Sequence, residues 1–257
     1  MDQRTDQGAH ERFSRRLPGV VDAFATTLEG ADPTTSVPTC PGWTITKLAK
    51  HVGLTQRWAS EMVRTLAPER IDQRRIELGW PDDAAAVPDW LRSGADDLTR
   101  TLERADPDAG MWAWGEDQHV RFWSRRMVHE GLVHTADLQI AVGASPGYPL
   151  DLSIDAVDEL LDNIPGATYF APKVAELRGT GESIHLHSTD TEGEWMIDLE
   201  PDGYRWQHAH GKGTVAVRGP AAGLALLLYR RLPIDDEQFT TFGDRALIDR
   251  WLDNSAL

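Results

Sequence analysis

Apolar residues recur at three- and four-residue intervals through the first half of the chain, and at two-residue intervals through much of the second. Leu17, Val20, Val21, Phe24 and Leu28 trace one face of a helix that Gly30, Ala31, Asp32 and Pro33 close. After the extended stretch from Val37 to Trp43, Thr44 can cap a second helix with apolar positions Ile45, Leu48, Ala49, Val52 and Met62. His51 falls near its middle. Asp89 to Arg104 and Phe122 to Val142 carry the same period, with Gly143 as a terminator of the latter. Four helices of similar length predict an antiparallel bundle.

The turn-rich stretch from Gly143 to Pro149 reads as a linker, so domains are expected at 1–145 and 146–257. Beyond it, Asp155 to Ile164 still reads as helix. Ser183 to Ser188, Trp195 to Leu199, Tyr204 to His208 and Thr214 to Val217 alternate like strands of a small antiparallel sheet. Pro220 can open a helix through Leu224, Leu227 and Leu228, and Ala246 to Leu252 closes the chain as another. The expected fold class is α+β: a four-helix bundle followed by a small α+β domain.

Charge and composition narrow the function. Among 257 residues, 41 acidic against 26 basic give a formal charge of -15, which repels phosphate backbones and anionic lipid surfaces. Neither nucleic acid nor membrane is an expected partner. The N-terminal stretch is charged and lacks an apolar run of signal-peptide length, and a cytoplasmic location is expected. With Cys40 the only cysteine, an internal disulfide and a multi-cysteine zinc site are excluded, so metal ligands would have to be imidazoles and carboxylates.

The segment His129-Glu130-Gly131-Leu132-Val133-His134 is one residue longer than the zinc-protease pattern H-E-x-x-H. On a helix, His129 and His134 lie roughly 140° apart, whereas Glu130 and His134 lie about 40° apart and one turn along. Only Glu130 and His134 can share an ion, beside the apolar face marked by Met127 and Leu138. The same spacing also suits an ordinary i,i+4 ion pair, and His51 alone would suit a satisfied core residue.

At these residues the chain resembles the mycothiol-dependent maleylpyruvate isomerase family, whose N-terminal domain is a DinB-like metal-binding bundle. Thr39-Cys40-Pro41-Gly42-Trp43-Thr44 followed by Leu48-Ala49-Lys50-His51-Val52-Gly53 resembles the family's second helix and its metal-binding histidine. Glu130 and His134 match the second and third ligands, and Val217 to Ala221 with Leu226 to Pro233 resemble its C-terminal strand-to-helix pattern. The resemblance implies a divalent metal, zinc by its donor set, on His51, Glu130 and His134, with mycothiol as cosubstrate. It implies an S-transferase or isomerase acting on a small electrophile. A non-enzymatic binding module and a metal-assisted hydrolase are the alternatives.

Other signals are weaker. Arg230 or Arg231 could hold a substrate carboxylate, although arginines at a helix end also serve its dipole. His185 with His187, and His208 with His210, each place two imidazoles on one strand face, a conceivable second metal site or a plain polar surface. Cys40 reads as part of a turn, Trp112 and Trp114 as loop aromatics, and Asp82-Asp83 and Asp235-Asp236 as solvated charge.

Overall fold

The computed structural model describes residues 3–256, with side chains from residue 8; Met1, Asp2 and Leu257 lie outside the described residues. The chain divides into two compact units between Pro146 and Gly147. No helix among the described residues is long and apolar enough to cross a membrane.

The first unit holds α1 (Gln3–Leu28), α2 (Ile45–Arg64), α3 (Val87–Arg104) and α4 (Val120–Ala141). α1 begins well before Leu17, the first position its apolar pattern marks, and carries Pro18 in its interior. The earlier turns are held by His10, whose ring nitrogens bond Ser124 Oγ and the Leu102 carbonyl, both at 3.0 Å. α1 and α2 pack against both α3 and α4. Most positions of α4 are buried, so it runs through the interior instead of presenting one apolar stripe. Gly131 permits the α1 contact, since a Cβ there would stand 2.7 Å from Val20 Cγ1. Trp58, Trp112 and Trp123 form one aromatic cluster, making Trp112 a cover for the core.

The loop before α2 is built by its own residues. Pro41 and Gly42 occupy the centre of a turn closed by Trp43 N–H donating to the Cys40 carbonyl at 3.0 Å. Gly42 has φ +78°, the value a type II turn requires at that place. Thr44 then caps α2, its hydroxyl oxygen accepting from Lys47 N–H.

The second unit contains α5 (Leu150–Asn163), two 3-10 stretches, β1 (Ser183–Ser188), β2 (Glu194–Glu200), β3 (Gly203–Gln207), β4 (Val215–Gly219), α6 (Ala221–Leu228), β5 (Thr240–Gly243) and α7 (Arg245–Asn254). The sheet order is β3-β2-β1-β4-β5. Three pairings are antiparallel, but β1 and β4 run parallel, and β5 is a strand the alternation pattern does not mark. Because β3 and β4 flank the β2–β1 pair and run in one direction, residues 208–214 must cross the sheet between them. Ile184, Leu186, Trp195, Ile197, Val215 and Val217 form the buried face, and Trp195 Nε1 donates to Asp158 of α5 at 2.6 Å. His185, His187 and Glu194 belong to the other face.

Candidate metal centre

α2 and α4 bring His51, Glu130 and His134 together. Glu130 Oε1 lies 3.1 Å from His51 Nε2 and 3.2 Å from His134 Nε2, while Arg126, one turn earlier on α4, donates to Glu130 Oε2 at 3.2 Å. One donor atom from each of the three residues lies within 4.8 Å of the others. The imidazoles approach edge to face, with ring centroids 4.8 Å apart. Trp43 touches both, 4.9 Å from the His51 ring and stacked 6.4 Å from that of His134. His129 instead lies edge-on to Phe13 of α1, as expected for a residue well around the helix from His134.

The other nitrogen of His134 faces the protein interior. Its Nδ1 stands 2.8 Å from Asp137 Oδ2, and Asp137 is fully buried. Asp137 also accepts from the Thr39 hydroxyl and, at 3.5 Å, from the Cys40 thiol. Cys40, His134 and Asp137 form another potential ligand group, but there Asp137 Oδ2 already holds both the thiol and His134 Nδ1. This arrangement fits an outer support that turns His134 Nε2 toward Glu130, a frequent companion of metal-binding histidines. Sequence reasoning missed both Asp137 and Arg126. Their signal was their position on α4, Arg126 four residues before Glu130 and Asp137 three after His134.

Electrostatics binds the group tightly. Burial by itself raises the Glu130 carboxyl pKa, but the His134 charge, hydrogen bonds from His134 and His51, and the Arg126 charge hold it well below the usual range. Burial by itself lowers the His134 pKa, whereas the Glu130 charge and hydrogen bonding with Asp137, Cys40 and Glu130 drive it well above the ordinary value. In the metal-free site these groups therefore form an ion pair. The donor set of two imidazoles and a carboxylate fits zinc or a similar divalent ion. The His51 and Glu130 side chains remain 31% and 26% exposed, so one side of the centre is open to a small ligand.

The remaining candidates lie in the second unit. Arg230, just past α6 with φ +64°, pairs with Asp253 at 3.2 Å, and Arg231 donates to the Tyr229 carbonyl at 2.6 Å. His208 does not stay beside His210: it stands 3.1 Å from Asp158 Oδ2 and bonds the Glu194 carbonyl, because β3 ends at Gln207. His210 joins His185, His187 and Glu194.

No curated protein matches the chain by sequence. Among solved structures it resembles a crystal structure of a histidine-to-alanine mutant of the mycothiol-dependent maleylpyruvate isomerase, at 15% identity and a TM-score of 0.51. The match covers 90% of this chain and 91% of that one, and it shows a shared fold. A second crystal structure of the mycothiol-dependent maleylpyruvate isomerase matches at 16% identity over 90% of this chain and 91% of that one, with a TM-score of 0.49. Family models match residues 15–139 as the mycothiol maleylpyruvate isomerase N-terminal domain and residues 151–250 as the MDMPI C-terminal domain. With both domains present in order and together spanning most of its length, the chain belongs to the mycothiol-dependent maleylpyruvate isomerase family.

Proposed function

We propose that this chain is a metal-dependent enzyme that activates mycothiol for S-transfer to, or thiol-assisted isomerisation of, a small electrophilic substrate. Residues 1–145 would form the metal-binding domain, with His51, Glu130 and His134 as ligands, and residues 146–257 its C-terminal companion. The observation that carries the reading is the convergence of the three donors with His134 Nδ1 anchored on a buried carboxylate. A divalent ion, zinc by this donor set, would lower the pKa of a bound thiol and favour the thiolate, the form that attacks.

The protein's own part is positioning. Asp137 fixes the orientation of His134, Arg126 occupies Glu130 Oε2, and Trp43 limits the movement of both imidazole rings. The partly exposed side of the group admits the thiol. Thiolate addition to a conjugated double bond, rotation and expulsion of the thiolate would give isomerisation; loss of a leaving group from the substrate would give S-transfer. Of the two arginines considered for a substrate carboxylate, Arg230 is the better candidate. Its partner Asp253 is exposed and can be exchanged, whereas Arg231 is committed to the Tyr229 carbonyl.

Elemental analysis of the protein purified without a tag or added zinc tests the ligand set. The native protein is expected to hold one equivalent of metal more than His51→Ala, Glu130→Ala and His134→Ala. Full occupancy in all three variants would remove the assignment. Turnover of an activated electrophile should require mycothiol; hydrolysis without thiol would point instead to a metal-bound water.

A further inference from the structure

The outer face of the sheet carries a second group of donors, in a unit separate from the first centre. On β1, His185 and His187 project to the same side, and the register places His187 opposite Glu194 of β2. His187 Nδ1 lies 2.5 Å from Glu194 Oε1, and His185 Nε2 lies 3.7 Å from Glu194 Oε2. His210 Nδ1 lies 2.9 Å from Glu194 Oε2. It arrives on the segment that crosses the sheet from β3 to β4.

That crossing is close. A Cβ on Gly213 would stand 3.0 Å from the His185 backbone nitrogen, and one on Gly211 would stand 2.7 Å from Met196 Cε. The segment covers this part of the sheet, which explains why His185 is only 5% exposed although it faces away from the helices. His185 Nε2 is nevertheless left without a hydrogen-bond partner. A buried imidazole nitrogen bears the full loss of its hydration unless something else satisfies it. A simple surface network of histidines around a carboxylate leaves that nitrogen unexplained.

We infer that His185, His187, Glu194 and His210 form a second site for a divalent transition-metal ion, zinc before others, which clips the 208–214 crossing to β1 and β2. Three imidazoles and one carboxylate supply a complete tetrahedral set, the pattern of a closed structural site. Ligands about 2.0–2.1 Å from zinc stand about 3.3 Å apart across a tetrahedron. The four donors here all lie within 4.8 Å of one another, so small side-chain rotations close the set. Imidazole-rich sites suit zinc, copper and nickel, while magnesium and calcium prefer oxygen.

The test uses the full chain, stripped with a chelator and titrated with Zn2+ alone. Calorimetry would give affinities, and elemental analysis after gel filtration would give retained zinc. His51→Ala, which disables the first centre, should still retain one equivalent. In the same background, His210→Ala and Glu194→Gln should lose that equivalent, or bind it more weakly by more than the roughly 10–100-fold that loss of an outer-shell partner costs. His210 is highly exposed, so its replacement leaves the fold intact. Retention of the equivalent at unchanged affinity in both double variants would overturn the site. Failure of the first centre would instead appear as native protein binding one equivalent that His51→Ala leaves untouched.

Discussion

Asp137 Oδ2 stands 2.8 Å from His134 Nδ1, one helical turn away on α4, and no part of the Asp137 side chain reaches solvent. The carboxylate is satisfied from two directions, by His134 on its own helix and by Thr39 and Cys40 from the loop before α2. It therefore ties the loop to the same imidazole that presents Nε2 to Glu130. Asp137→Asn keeps the volume but removes the charge that orients and polarises His134. Zinc affinity should fall about 10–100-fold with the helical circular dichroism unchanged. Unchanged affinity in a titration of the stripped variant would show that Asp137 serves only the loop.

Protons and the proposed metal ion would compete for His134. Its pKa is raised well above the ordinary histidine value in the metal-free site, so at neutral pH a metal ion must displace a proton to bind. Zinc affinity should rise by about tenfold per pH unit until the pKa of folded His134 is passed, then level off. The stability of the metal-free protein should move the other way. A raised histidine pKa contributes stability that is complete below the unfolded value and is lost as pH rises through the folded one. Glu130, whose pKa is depressed, contributes above its unfolded value and loses that contribution as pH falls through the folded one. Melting temperatures of the stripped protein should thus decline on the alkaline side, and zinc should reverse the decline. A pH-independent zinc affinity would contradict the ion pair.

What could be read from the sequence follows from how local each signal is. Glu130 and His134 are visible as neighbours because helix geometry alone sets their spacing, and α2 is marked by Thr44 and its apolar stripe. Asp137 stands only three residues after His134, but the loop partners that complete its role, Thr39 and Cys40, are far away in sequence. The turns of α1 before Leu17 are mostly polar, and their anchor, His10, is held by residues of α3 and α4. The parallel pairing of β4 with β1 is likewise non-local. The glycines at 211 and 213 allow a close crossing of the sheet. β5, the exposed edge strand Thr240–Gly243, has little burial pattern to betray it.

The turn before α2 supports a prediction about stability. Gly42 occupies φ +78°, where a side chain meets the backbone, so Gly42→Ala should cost about 1–2 kcal/mol. The neighbouring Trp43 rests against both His51 and His134, and a shift of the turn should reach the proposed metal centre as well. A lowered melting temperature accompanied by weaker zinc binding is expected. Loss of stability with native zinc affinity would show that Trp43 does not help to hold the imidazoles.

Gly53, two residues beyond His51, lies beneath the ring of Trp90. A Cβ there would fall 2.0 Å from Trp90 Cη2 and 2.1 Å from Cζ3, which no real contact permits. The ring is also held by Arg57, whose guanidinium lies 4.0 Å from its centroid, and by its own N–H donating to the Leu78 carbonyl at 3.2 Å. Gly53→Ala must therefore displace a fixed ring, and should destabilise the bundle by about 1–3 kcal/mol. Alanine is otherwise the better helix former, by about 1 kcal/mol. The sign should consequently depend on Trp90. In a Trp90→Leu background, with the ring gone, Gly53→Ala should be neutral or stabilising. Equal destabilisation in both backgrounds, measured by thermal melting of the four proteins of the cycle, would show that the cost of the alanine does not arise at the ring.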